Sequence, residues 1–300
     1  MHKTMEETRA RRVGLRRSPG MEPTLSAPAP EFAGLNTYAS DPVLTAALDA
    51  TLDEETEDEL KAFGAYWGSG EAQEVARIAN ANTPTFRDMD CEGNRLDQVD
   101  MHPAYHALMN RSVTAGLTSS AWEEGEDRRQ HRLRAATLYL TAQCERGHLA
   151  PISATHATVA ALAYAPDLEA ELYPLIASRR YDRRAIPLRD KEGAIATLAM
   201  SERGAGGATT NCRGETLGGD AVRLWGRKWM VAAPMGDIVL SLCLTQDGPT
   251  AVAIPRFDPE NADAIRIERM LSLGGLASQA VVALGFDGAV GTLVGDPGRG

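Results

Sequence analysis

Apolar positions recur at helical spacing through roughly the first 180 residues and alternate, as in strands, after Lys191. Leu44, Leu48 and Leu52 repeat at every fourth position behind Asp41-Pro42, an N-cap followed by proline in the first helical turn. The acidic run 53–59 reads as a solvated helix face, and a second helix is predicted over 71–79, ending before Thr83-Pro84. Residues 88–100, around Glu92-Gly93-Asn94, read as a polar loop. A helix then follows His102-Pro103, with Tyr105, Leu108, Met109 and Val113 on one stripe. Further helices are predicted over 128–146, stopped by Gly147, and over 151–165 and 167–178.

Beyond Lys191 the predicted strands are 194–200, 237–245, 250–255, 264–270 and 279–284, with one more at 290–294. Residues 215–220 form a turn between two further strands. Helices first and strands second is the segregated α+β order, so the fold class expected is an N-terminal helical domain followed by a β-barrel or sandwich domain. The divisions are an extended arm over 1–40, rich in Pro, Ala and Ser from residue 18, a helical domain over 41–190 and a β-domain over 191–300.

Bulk composition narrows the class. Of 300 residues, 43% are hydrophobic and 24% charged, an ordinary globular balance for about two domains. Formal net charge is −10, and the only basic cluster, from Lys3 to Arg17, lies in the arm. The rest offers no broad patch for a nucleic-acid backbone. No run of eighteen apolar residues occurs, so no membrane helix is expected. Cys91, Cys144, Cys212 and Cys243 form no Cys-x-x-Cys pair, which predicts free thiols in a reducing, cytoplasmic setting.

Single motifs are weak. Gly204-Ala-Gly-Gly207 follows a strand but lacks the Gly-x-Gly-x-x-Gly spacing and any following Gly-Lys-Ser/Thr, and an ordinary glycine-rich connection explains it. His102 and His106 stand four apart on a helix without a third metal ligand, so capping or packing is expected and no metal site is predicted. Residues 153–158 form a small-residue helix that makes Thr155 and His156 candidates for lining a substrate pocket, with burial as the simpler alternative.

Taken in order, the landmarks carry more. They are Ala79-Asn80-Ala81-Asn82 with Pro84, Arg95-Leu96-Asp97, the run from His102 to Met109, Ala121-Trp122-Glu123-Glu124, Pro151-Ile152 and Tyr181-Asp182. Then come Met200-Ser201-Glu202, Gly226-Arg227-Lys228-Trp229, Pro255-Arg256-Phe257, the run from Ile265 to Arg269, and Leu273-Gly274. This series resembles the acyl-CoA dehydrogenases, most closely their alkylation-response (AidB-like) branch, over about residues 36–295.

The resemblance implies FAD lying against the β-domain. Met200 and Ser201 match the step that bonds the isoalloxazine edge, and Gly206 and Gly207 match the loop near the pyrophosphate and the substrate thioester. Met230 stands where the family has an aromatic beside the flavin, and Ala232 where it has a hydroxyl residue near the reactive nitrogen. Three departures cluster here: Gly207-Ala208 for Ser-Asp, Ala232, and residues 275–279 for an arginine-bearing turn. Each lost hydrogen bond is worth about 1 kcal/mol.

The family's catalytic glutamate lies on a C-terminal helical domain that has no counterpart in these 300 residues. The resemblance therefore implies a subunit of a split enzyme desaturating an acyl thioester, on coenzyme A or a carrier protein. A separately encoded C-terminal-half chain is expected to supply the base and share the flavin. The alternative is a flavin-free scaffold or regulator.

Overall fold

Asp41 opens the first described helix. Its carboxylate accepts the backbone N–H groups of Val43 and Leu44 at 3.1 and 2.9 Å, starting α1 (Pro42–Leu48) as the cap-and-proline pair predicts. The computed structural model describes residues 32–48, 52–123, 128–204 and 210–300, and Ala33–Gly300 cluster as one compact unit. The acidic run begins a new helix: Asp53 caps α2 (Glu54–Trp67) and Glu54, Glu55 and Glu57 sit in its first turn. Carboxylates there complement the positive end of the helix dipole.

The helical layer continues with α3 (Gly70–Ala81), capped by Ser69, then α4 (Pro103–Thr114), α5 (Arg128–Cys144), α6 (Leu149–Leu162) and α7 (Pro166–Ala177). Its centre is Trp67, Leu108, Met109, Leu117 and Ile152, each at most 2% exposed. His102 takes the capping role expected of it, with Nδ1 accepting the Ala104 N–H at 3.1 Å.

The polar loop expected over 88–100 is instead most of a hairpin. β1 (Thr85–Met89) pairs antiparallel with β2 (Arg95–Asp100), and Gly93 turns the chain at φ +88°. β1 is largely exposed and β2 begins exposed, so their polarity hides the pairing, which an Arg87–Asp100 ion pair supports across the strands. Asp97 and Val99 of β2 are buried, Val99 in the barrel core.

Seven more strands build the second layer: β3 (Ala196–Ala199), β4 (Arg213–Gly218), β5 (Ala221–Ala232), β6 (Ile238–Thr245), β7 (Gly248–Pro255), β8 (Ile265–Leu271) and β9 (Val281–Val294). Their order is β3-β6-β4-β5-β9-β7, with β8 on β9, and pairing of β6 with β7 closes the ring into a barrel. The last two predicted strands are one, because the ladder runs on from Val281 to Thr292 with a register shift opposite Leu224 and Trp225. The turn predicted at 215–220 is shorter: β4 runs to Gly218, and Gly218 and Gly219 reverse the chain at φ +106° and +56°.

Val222, Leu224, Val252, Ile254, Val282 and Leu284 are fully buried inside the barrel. Each such side chain contributes about 1.5–3 kcal/mol. A second apolar seam joins the layers, where Leu162, Leu172 and Ile176 of α6 and α7 meet Ala196, Ile238 and Leu240. Gly226, inside β5, has φ +145°, and a Cβ there would lie 2.8 Å from Cys212 Cα. Only glycine fits that approach.

Candidate functional site

The ends of β3 and β5 come together at one rim of the barrel. The Trp229 N–H donates to the Ser201 carbonyl at 2.7 Å, and the Thr197 hydroxyl donates to the Ala232 carbonyl. These bonds bring Met200, Ser201, Met230 and Ala232, four of the six residues expected at a flavin, to a common edge. Gly206 and Gly207, with Ala208, lie outside the described residues.

The rim is irregular in a specific way. The β5–β9 register shifts between Lys228 and Val231, and within that bulge Met230 has φ +58°, with Ala233 at +56° just beyond. Non-glycine residues adopt this region at a cost of roughly 1–2 kcal/mol. Such bulges re-aim side chains, and here Met230 is 46% exposed beside Met200 at 37%. The Ser201 hydroxyl has no hydrogen-bond partner among the described residues. Two guanidinium groups stand over the Trp229 ring system, Arg269 at 4.9 Å and Arg203 at 5.5 Å.

Behind the rim is a buried ion pair. Lys228 Nζ reaches Glu202 Oε1 at 2.5 Å, the Leu242 carbonyl at 2.7 Å and Thr210 Oγ1 at 3.2 Å. Glu202 also accepts the backbone N–H of Asn211 at 2.6 Å. Burial by itself would raise the Glu202 carboxyl, but the bonds from Lys228 and Thr210 outweigh it and hold the group below its ordinary value. Glu202 and Thr210, which flank the glycine-rich segment in sequence, are bonded to each other and to Lys228.

Thr155 and His156 are not part of the rim. Thr155 is fully buried, donates to the Pro151 carbonyl at 2.7 Å and accepts the Ala196 N–H at 2.9 Å, tying α6 to β3. His156 Nδ1 accepts the Trp122 indole N–H at 2.9 Å, and its ring packs against Trp122 and His131. Burial, helped by Arg134 and His131, pushes its imidazole down to about 4.

A separate cleft of about 370 Å³ opens among β2, the start of α4, residues 181–185 and residues 233–237. His106 Nδ1 is 2.8 Å from the Tyr181 hydroxyl there. Burial, with Arg183 nearby, lowers His106 to about 4, and burial raises Tyr181 well above the usual phenol value. Lys191, 7% exposed, lies 2.9 Å from Asp237 and donates to the carbonyls of Asp182 and Arg184. Burial lifts Asp237 to about 6 against the pull of Lys191. Sequence reading named His106, Tyr181 and Asp182 without joining them. Lys191 and Asp237 carried no motif signal.

A relay that spacing did not reveal is buried in the helical layer. Ser112 Oγ is 2.9 Å from His148 Nε2, and His148 Nδ1 is 2.6 Å from Glu145 Oε2. Glu145 also accepts the Ser278 hydroxyl at 2.7 Å and the Gly147 N–H at 2.7 Å. It has the connectivity of a hydrolase triad, yet Ser112 and His148 are fully buried. Its role is to join α4, α6 and the 275–279 segment.

Helical layer, barrel and rim together define the two N-terminal parts of an acyl-CoA dehydrogenase fold. Comparison with known proteins agrees. The family profile of the adaptive response protein AidB N-terminal domain matches residues 28–183, and the chain belongs to that family. The putative acyl-CoA dehydrogenase AidB of Escherichia coli K12 is 35% identical over 269 residues, covering 88% of this chain and 50% of that protein. Caenorhabditis elegans ACDH-11, solved with C11-CoA, superposes with a TM-score of 0.79 at 22% identity, over 95% of this chain and 50% of that one. A Mycobacterium smegmatis glutaryl-CoA dehydrogenase solved with FADH2 gives a TM-score of 0.57 at 14% identity, over 82% of this chain and 57% of that one. The chain spans about half the length of the curated relatives it matches.

Among the described residues no helix is long and apolar enough to cross a membrane, no cluster of three or more metal-ligating side chains occurs, and the four cysteines are free.

Proposed function

We propose that this chain is the flavin-bearing half of an acyl-CoA dehydrogenase-like enzyme that introduces a double bond α,β to an acyl thioester. The observation that carries the reading is the rim itself: an exposed Met200–Ser201 step held against a left-handed Met230 bulge. A flat, apolar ring with polar edges fits such a surface, with the two methionines against its face and the Ser201 hydroxyl free for an edge atom. Ala232 offers no side-chain donor, and its carbonyl is taken by Thr197. FAD is therefore held here more weakly than by a rim with a hydroxyl at that position, and it is shared with a partner.

Bound there, the flavin supplies the hydride acceptor for the β carbon. This chain's residues orient the ring and screen one face from water. Glu202, the carboxylate next to Ser201, is turned inward onto Lys228 and is not available as a base. The proton α to the carbonyl is removed by a carboxylate on a separate C-terminal-half acyl-CoA dehydrogenase-like chain. An open apolar groove along α5 and α6, lined by Leu138, Tyr139, Leu149 and Leu276, is the surface for that chain. The ACDH-11 complex with C11-CoA supports a coenzyme A thioester as substrate.

Co-expression with the C-terminal half of an AidB-like relative tests the proposal. A yellow complex that oxidises an acyl thioester supports it. A colourless chain that pairs with no such half favours the flavin-free scaffold, for which the side-chain donor missing at Ala232 is the supporting observation.

A further inference from the structure

The cleft beside α4 has a charge balance that the flavin rim does not explain. Three ion pairs can be traced around it, and all but one charge is already met. Asp100 pairs with Arg87, Asp182 with Arg184 at 2.6 Å, and Asp237 with Lys191 at 2.9 Å. Arg183 lines the same cleft and has no ion-pair partner among the described residues. One positive charge is left facing the space.

The remaining wall is soft and apolar, with Met101, Met109 and Met235 contributing flexible thioethers that adapt to an irregular guest. His106 adds a directional group. In the tautomer where the Tyr181 hydroxyl donates to Nδ1 at 2.8 Å, His106 carries its proton on Nε2, which has no partner among the described residues. A cationic guest would find no free carboxylate, and a neutral one would leave Arg183 unanswered. The volume, about 370 Å³, lies at the small end of the range for ligand pockets.

We infer that this cleft binds a small amphipathic monoanion, a short-chain carboxylate, with Arg183 and His106 Nε2 on the carboxylate and the methionine wall on the aliphatic chain. The site is distinct from the rim formed by Ser201 and Met230. It needs neither flavin nor a partner chain, so its test is independent of the proposed desaturation.

The test uses the full chain labelled with [methyl-13C]methionine and titrated with sodium hexanoate, hexan-1-ol and hexylamine. Hexanoate is expected to shift the methyl signals of Met101, Met109 and Met235 saturably, while that of Met89, which does not line the cleft, stays fixed. It should bind at least tenfold tighter than hexan-1-ol, the scale of one charge-assisted hydrogen bond. Arg183→Gln alters an exposed side chain, so the fold persists, and it should bring hexanoate down to the affinity of hexan-1-ol. The inference is overturned if hexanoate shows no saturable shift, if either other probe binds equally well, or if Arg183→Gln leaves hexanoate affinity unchanged.

Discussion

Lys228 and Glu202 face each other across 2.5 Å behind the rim, with their side chains 0% and 5% exposed. Removing one member of such a pair leaves an uncompensated buried charge, which costs about 3–5 kcal/mol. Lys228→Met is expected to lower unfolding stability in urea by that order. Lys228→Met with Glu202→Gln should recover much of the loss. A single variant as stable as the parent would show that the pair is not buried in solution.

The rim predicts a graded response in cofactor retention. Ser201→Ala removes one hydroxyl, and about 1 kcal/mol per hydrogen bond corresponds to roughly a fivefold weaker hold on FAD. Ala232→Thr supplies the donor that position lacks and is expected to tighten it by a similar factor. Fluorescence titration of FAD with each variant, in the presence of the partner half, checks both. Equal affinity in all three proteins would remove Ser201 and Ala232 from the site.

His106 and His156 are both held neutral down to about pH 4. In the unfolded chain a histidine takes up its proton near 6.5. Between these values the unfolded state binds protons that the folded state refuses, so stability is present above pH 6.5 and is lost as pH falls towards 4. Asp237, raised to about 6, acts in the opposite sense, because the folded state keeps a proton that the unfolded carboxyl has released. His106→Asn should therefore make the loss of stability between pH 6.5 and 4 shallower than in the parent. Imidazole resonances should titrate with midpoints near 4. Midpoints near 6.5 would contradict the buried, neutral assignment.

The Ser112–His148–Glu145 relay has the connectivity of a nucleophilic triad and none of the access. No labelling by a fluorophosphonate is expected in the folded protein, since Ser112 and His148 are fully buried. Ser112→Ala leaves a ring nitrogen of His148 without its partner and should cost about 1–3 kcal/mol in urea unfolding. Stoichiometric labelling of Ser112 would place it at a surface instead.

Local chemistry was legible in the sequence where one residue determines its own neighbourhood. Asp41-Pro42 starts a helix by itself, and the helix-then-strand order gave the two layers. The hairpin over 85–100 was not legible, because its strands satisfy backbone groups with each other while most side chains of β1 and the start of β2 stay in water. The length of β9 was hidden by Asp287-Gly288, where a register shift reads as a break. At the rim, the Met200-Ser201 step and the Trp229–Ala232 segment were visible through family resemblance, but the left-handed turn at Met230 was not. A methionine carries no signal for that conformation, which the bulge against β9 imposes. The cleft and the buried relay depend on residues tens of positions apart, such as Ser112 and His148, which only the fold brings together.

Hydrogen–deuterium exchange of the chain with the C-terminal half, before and after adding FAD, measures directly where the cofactor lies. The account predicts new protection in two segments, 199–201 and 229–232, and none in 181–185. Protection confined to other segments, or no change on adding FAD, would contradict a flavin wall built from Ser201 and Met230.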